Sequence, residues 1–425
     1  MNGLQLKARL VAMNFLEFAV WGAYLTSMGT YLAQSGMGTQ IGWFYAVQGI
    51  VSIFMPGLIG IVADRWIQAQ RLLGICHFIA AAFMACTAYY GFSAGADVEF
   101  TTLFTLYALS VAFYMPTLAL SNSVAFSALV GAGMDTVKDF PPIRVFGTVG
   151  FICTMVAVDL LGFQANCGQF AVSAGIGLVL ALYAQTLPQC PVSSGDGQKK
   201  SLAEAMGLDA FRLFGQRRMA VFLVFSFLLG VSLQITNGFA NPFITSFGNL
   251  EQYKDSFGVN HANVLISLSQ MSEAFCILLI PFFLKRYGIK RVMMISMFAW
   301  VLRFGLFGLG DPGSGVWMFV LSMIVYGVAF DFFNVSGALY VDQNTKPEIR
   351  SSAQGLFMIM TNGLGATVGT LCAQQVVNKF VFDAPPALQL DGWRTSWYVF
   401  AAYALVVLVL FAFCFKNEKA SEELH

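Results

Sequence analysis

Apolar runs long enough to cross a bilayer recur twelve times along this chain, and runs of that length leave few folds open. Their approximate spans are 8–33, 40–63, 72–93, 100–125, 143–163, 168–188, 219–247, 262–284, 291–310, 315–341, 350–378 and 393–415. In hydrocarbon every backbone N–H and C=O needs a partner within the protein, so a spanning segment is a helix or a strand of a closed barrel. Barrel strands alternate apolar and polar residues, and these runs do not. The expected class is an all-α membrane protein. Only 11% of the 425 residues are charged, against about 25% in a soluble globular protein.

Basic residues orient the runs. If both termini are cytoplasmic, only Lys254, Lys379 and Arg394 of the 23 Lys and Arg residues fall outside the cytoplasmic side and its helix ends. That asymmetry is the positive-inside pattern, and a missed helix would scramble it. Lys7 and Arg9 precede an apolar segment that runs to about Ala33, too long for a signal peptide, so it is expected to be the first span. A net charge of +1 without a basic face argues against a nucleic-acid partner. The eight cysteines form no C-x-x-C pair and the three histidines are scattered, so neither a disulfide framework nor a metal or other cofactor is expected.

The longest polar stretch, Pro188–Arg218, lies in the middle and contains SSGDGQKK followed by SLAEAMGLDAFRLF. Ser201 and Glu204 have capping-box spacing. The spacing predicts a cytoplasmic linker with a short amphipathic helix over 189–218. It joins a six-helix bundle over 1–188 to another over 219–415, followed by a cytoplasmic tail over 416–425. GIVADRWIQAQR (Gly60–Arg71) and LKRYGIKR (Leu284–Arg291) are short basic loops at the same place in each half, as internal duplication in transporters produces. Gly60, Asp64, Arg65 and Arg71 resemble the loop signature of the major facilitator superfamily. The fold expected is twelve transmembrane helices in two pseudo-symmetric six-helix bundles. Those loop charges read either as positive-inside bias or as a latch between helix ends.

Polar residues interrupt several spans at mid-depth. In LQITNGFANPF, Gln234, Asn237 and Asn241 are spaced to share one helix face. In SLSQMSEAF, Gln270 and Glu273 stand at i, i+3. In VYGVAFDFFNVSG (Val325–Gly337), Tyr326, Phe330, Asp331 and Asn334 fall within an arc of roughly 140°. Polar faces inside a membrane bundle point inward, which predicts a hydrated pocket near the midplane. The bland alternative is interhelical amide bonding. The first half offers Arg144 in DFPPIRVFG, Glu17 in mid-helix with Trp21 one turn on, and Gln48. Arg144 either reaches the pocket or snorkels at the interface. Arg303 is expected to be a structural ion-pair partner, Asp159 an interfacial charge, and His77 to lie near a helix end.

The pocket's chemistry follows from its residue types. Amides both donate and accept hydrogen bonds, and Tyr326, Phe330 and Trp21 offer flat faces for stacking. The combination suits a neutral, planar, polyhydroxylated molecule such as a nucleoside. A carboxylate at the centre of hydrocarbon survives when it faces a cavity, a partner or a proton. Asp331 and Glu273 are the candidates for taking a proton outside and releasing it inside, with Glu17 a further one. The competing reading for Asp331 is a permanent ion pair, for instance with Arg303. A proton crossing the membrane potential yields about 2.3 kcal/mol per 100 mV, enough to concentrate a solute without any cofactor.

The motifs DFPPIRVFGTVGF, LLGVSLQITNGF, SLSQMSE, PFFLKRYGIKRVMMISM, VYGVAFDFFNVSG and SAQGLFMIMTNG resemble, over nearly the whole chain, the bacterial nucleoside:proton symporters of the major facilitator superfamily. The resemblance implies that Arg144, Gln234, Asn237, Gln270, Glu273, Tyr326 and Phe330 contact nucleoside and that Asp331 couples protons. It implies an inner-membrane location, with nucleoside, protons and the lipid bilayer as partners. Glu17 departs from the glutamine expected there, which bears on the charge of the pocket and the proton stoichiometry. A monomer is expected, since each six-plus-six bundle encloses its own path. The alternative is a sugar or oligosaccharide:proton symporter of the same fold. A drug exporter fits an amide-rich pocket poorly. An intramembrane enzyme would need a His–Asp or Ser–His cluster or a metal motif, and a receptor would need a signalling domain.

Overall fold

The computed structural model describes residues 3–190, 208–346 and 349–415. The Ser201–Glu204 capping box, most of the expected linker helix and the 416–425 tail lie outside these residues, as do the side chains of Asp64 and Arg65. The first half consists of α1 (Gly3–Gly22, resuming as Met28–Gln34), α2 (Ile41–Arg65), α3 (Ala69–Ala94), α4 (Phe100–Tyr114, resuming as Thr117–Gly131), α5 (Thr136–Leu160) and α6 (Gly168–Ala184). A 3-10 turn, Leu208–Gly215, leads into α7 (Arg217–Leu233, resuming as Ile235–Ser246). Then α8 and α9 are the two limbs of Ala262–Leu309, followed by α10 (Val316–Gln343), α11 (Arg350–Met358 and Ala366–Val377 about a π-wound turn, Ile359–Gly365) and α12 (Gln389–Cys414).

The twelve expected spans are all present. Gly288, with φ +76°, is where α8 and α9 part. In a straight helix Ser269 and Arg303 would stand about 50 Å apart, yet the Arg303 guanidinium lies 3.4 Å from Ser269 Oγ. The chain therefore folds back at Gly288, as two spans require. α5 starts seven residues earlier than the periodicity placed it and runs through Pro141 and Pro142 in its second turn, each of which removes one intrahelical hydrogen bond. Large apolar side chains such as Phe275, Leu278, Leu182 and Phe413 stand more than 70% exposed, a surface that belongs against lipid.

The two halves meet at the end of the bundle opposite the basic loops. Thr30 Oγ1 donates to Asn241 Oδ1 (2.6 Å), and Thr26 Oγ1 (3.0 Å) and Asn241 Nδ2 (2.8 Å) both donate to Asn263 Oδ1. Gln374 Nε2 donates to Gly38 O (3.0 Å), and its Oε1 accepts from the Gly42 N–H. Gly29 sits so close to Gly238 O that a Cβ there has no room, and its next neighbour, Pro242 Cγ, would be 2.9 Å away. Such small-residue contacts let membrane helices approach closely. At the basic end the ion pairs Lys7–Asp139 (2.7 Å) and Arg350–Asp342 (3.0 Å) each stay within one half.

Two sequence expectations are corrected here. Asp159 is not an interfacial charge: it is buried, with Oδ1 2.7 Å from His261 Nδ1 and Oδ2 accepting the Val264 N–H at 3.1 Å. A carboxylate of α5 thus caps the N-terminus of α8 in the other half. Asn241 is not a pocket residue: it stands one turn beyond Asn237 on the same helix, Ile235–Ser246, which carries it into the seam, where it is buried and bonded to Thr30 and Asn263.

Candidate functional site

α10 carries the densest part of the site. The Tyr326 ring stacks on Phe330 (centroids 5.6 Å apart, 21° between planes) and meets Trp300 edge-on at 6.0 Å. Its hydroxyl faces Gln270 of α8. The Arg303 guanidinium lies 4.4 Å from the same ring centroid and 5.4 Å from that of Phe307. A cation over aromatic faces is held by their quadrupoles. Arg303 is fully buried and donates to Ser322 O at 2.8 Å. Among the described residues it pairs with no carboxylate, so the ion-pair expectation is corrected. Its work is to fix the Tyr326 ring.

The next residue, Asp331, is 4% exposed, and its Oδ2 has no hydrogen-bond partner. Buried unpaired acceptors are rare in folded proteins and point to function. Asp331 feels the charge of Glu273 on α8. Glu273 in turn interacts with Arg144 of α5, across the boundary between the halves. The Arg144 guanidinium packs 3.9 Å from the Phe18 ring centroid, so it turns into the protein and does not snorkel. Arg144 thus feels one carboxylate from each half, Glu273 of α8 and Glu17 of α1, and Asp331 lies beyond Glu273.

On α7, Gln234 and Asn237 stand at the break in the helix, and Asn237 Nδ2 donates to Gln234 Oε1 (2.9 Å). That bond leaves the Gln234 NH₂ and the Asn237 carbonyl oxygen for other partners. Arg144, Gln234, Asn237, Gln270, Glu273 and Phe330 are all half-buried. The structure joins Arg144, Gln270, Glu273, Tyr326, Phe330 and Asp331 into one constellation. It keeps Gln234 and Asn237 as a separate pair on α7.

Glu17 lies on the other side of Arg144, whose charge it also feels. It is fully buried, with Oε2 2.8 Å from His77 Nε2 and Oε1 accepting from Thr117 Oγ1 at 2.6 Å. His77 is not near a helix end. It sits two turns into α3, fully buried, with Nδ1 unpartnered. Sequence reading missed this pair, although an acid and an imidazole inside two apolar spans were signal enough. Trp21 turns its indole N–H to Gln48 Oε1 (3.2 Å), and Gln48 Nε2 bonds to the Tyr107 hydroxyl (2.8 Å). No group of three His, Cys, Asp or Glu able to hold a metal occurs among the described residues.

A family model described as nucleoside H⁺ symporter matches residues 4–420. The chain is 45% identical to the xanthosine permease of Escherichia coli K12, over 99% of this chain and 98% of the relative. It is 44% identical to the nucleoside permease NupG of the same organism, over 97% and 96%. A crystal structure of a NupG mutant superposes with a TM-score of 0.91, covering 97% of this chain and all of the other. A D-xylose–proton symporter structure, 15% identical with a TM-score of 0.69, shares the fold.

Proposed function

Because the chain belongs to the nucleoside H⁺ symporter family, we infer that it imports nucleosides together with protons, by alternating access, as a multi-pass transporter and not as an enzyme. The positive-inside bias of its loops supports an inner-membrane protein with both termini cytoplasmic. In that orientation the seam that joins the halves is periplasmic. A monomer suffices, since each pair of six-helix halves encloses one path.

The observation that carries this reading is the run Tyr326–Phe330–Asp331. It sets a stacked aromatic pair beside a buried carboxylate with an unpartnered oxygen. The surface that stacks on a base therefore adjoins the group that takes a proton. In this reading Tyr326 and Phe330 hold the base face, while Gln270, Gln234 and Asn237 bond its edges or the ribose hydroxyls. Arg144 and Glu273 reach the same ligand from opposite halves, so nucleoside ties the halves together. Charge balance assigns the proton: Arg144 offsets Glu273, and Asp331 is offset by a proton when the site is occluded. The sugar reading is not favoured, because the sugar symporter likeness extends to the fold alone.

The test is uridine uptake by proteoliposomes under an inward proton gradient. Concentrative uptake is expected, abolished by a protonophore and by Asp331→Asn. Gradient-driven uptake that survives Asp331→Asn would move the proton to another carboxylate. Failure to carry either uridine or adenosine would sink the substrate assignment.

A further inference from the structure

Glu17 and His77 are not needed by the pocket just described, yet Glu17 Oε2 and His77 Nε2 stand 2.8 Å apart with both side chains at 0% exposure. Two such groups share one proton whichever way it is drawn, and losing it leaves a lone buried carboxylate, which is costly. The Glu17 carboxylate is fully engaged by His77 and Thr117. His77 Nδ1 is the one polar atom of the pair left without a partner. His77 borders a small, mostly apolar cavity of about 10 Å³, walled also by Tyr24, Met84, Ser110, Tyr114 and Ser173, about the room one water needs, and among its lining residues the Tyr24 hydroxyl and His77 Nδ1 are without a partner. The titratable or charged groups around the pair are Tyr24 on α1, Cys76 on α3, Tyr114 on α4 and Arg144 on α5. α6 contributes Ser173 and Gly177 to the cavity.

Arg144 connects this site to the cycle. Its guanidinium interacts with Glu273 of the other half and with Glu17 of its own. When the halves rock, the distance from Arg144 to Glu273 changes, and so does the share of its charge that Glu17 feels. We propose that Glu17 and His77 form a second proton-binding site, loaded through one ordered water on His77 Nδ1, so that each half of the transporter carries a proton per cycle. The step balances as an imidazole relay: a proton arriving at Nδ1 releases the Nε2 proton onto Glu17 Oε2, and the return runs in reverse. The inference rests on the transport reading above.

The experiment is a reversal-potential measurement in proteoliposomes at a fixed uridine gradient, which gives protons per nucleoside. Two are expected for the unmodified protein, and one for Glu17→Gln and for His77→Asn. Each proton at 100 mV is worth about 2.3 kcal/mol, roughly fifty-fold in accumulation. The attainable uridine ratio therefore falls from roughly two-thousand-fold to roughly fifty-fold in either variant. Glu17→Gln keeps an acceptor for Thr117, and His77→Asn reads the same quantity should that variant fail to assemble. A ratio of one in the unmodified protein, or of two in the variants, overturns the second site while leaving transport intact. Absence of any uridine-coupled flux in the unmodified protein overturns the transport reading itself.

Discussion

At the scale of single residues, Tyr326 decides how the pocket grips. Its ring is fixed by Phe330, Trp300 and Arg303, and its hydroxyl faces Gln270. Tyr326→Phe keeps the ring and loses the hydroxyl's hydrogen bonding, about 0.5–1.5 kcal/mol, so uridine binding by calorimetry should weaken roughly two- to thirteen-fold. Tyr326→Ala also removes a stacking face worth about 1–3 kcal/mol and should weaken binding further. Equal affinities for the two variants would show that the ring does not touch the base. Sequence spacing located Tyr326, Phe330, Asp331, Gln270 and Glu273 because helical phase and mid-span depth are both written in the chain. Partners are not written there. The pattern leads one to expect a carboxylate beside Arg303, which has aromatic rings, and it marks Glu17 as a proton-coupling candidate without pointing to the His77 it meets. Nothing in a one-dimensional pattern says which neighbouring helix supplies the contact.

At the scale of elements, breaks matter more than helices. α1, α4 and α7 each pause, and α11 winds through a π turn at Ile359–Gly365, a distortion often found at functional sites. A hydropathy run reads straight through all of these, since the side chains stay apolar while the backbone changes phase. The α5–α8 contact shows what such reading misses. Asp159 was legible as a charge near a helix end, but its role as a cap on another helix depends on the docking of the two halves. Asp159→Ala removes two hydrogen bonds from the seam and should weaken it by about 1–3 kcal/mol. Spin labels at Thr39 and Lys379, exposed near the seam on opposite halves, should then report a larger population of long distances. An unchanged distance distribution would mean that the cap does not hold the halves together.

At the scale of the whole molecule, the twelve spans and the pairing of halves were legible from run length and loop charge, because bilayer thickness and the positive-inside bias constrain both. The conformational state was not, since one sequence must support at least two. Here the closed end depends on the near-contact of Gly29 with Gly238 and Pro242. Gly29→Val places a branched side chain where a single Cβ has no room. It should shift the same spin-label distances toward the opened seam and slow uridine efflux and uptake alike; labels that stay close would show that the helices yield. The seam has a further consequence. Apart from Asp159 and His261, its described bonds join hydroxyls, amides and backbone groups, which carry no net charge. Counterions screen charges over about a Debye length and have little purchase on such dipoles. The hold of the seam itself should therefore stay nearly constant from dilute to concentrated salt, so a cell moving between media of different salinity would keep the same seal between the halves.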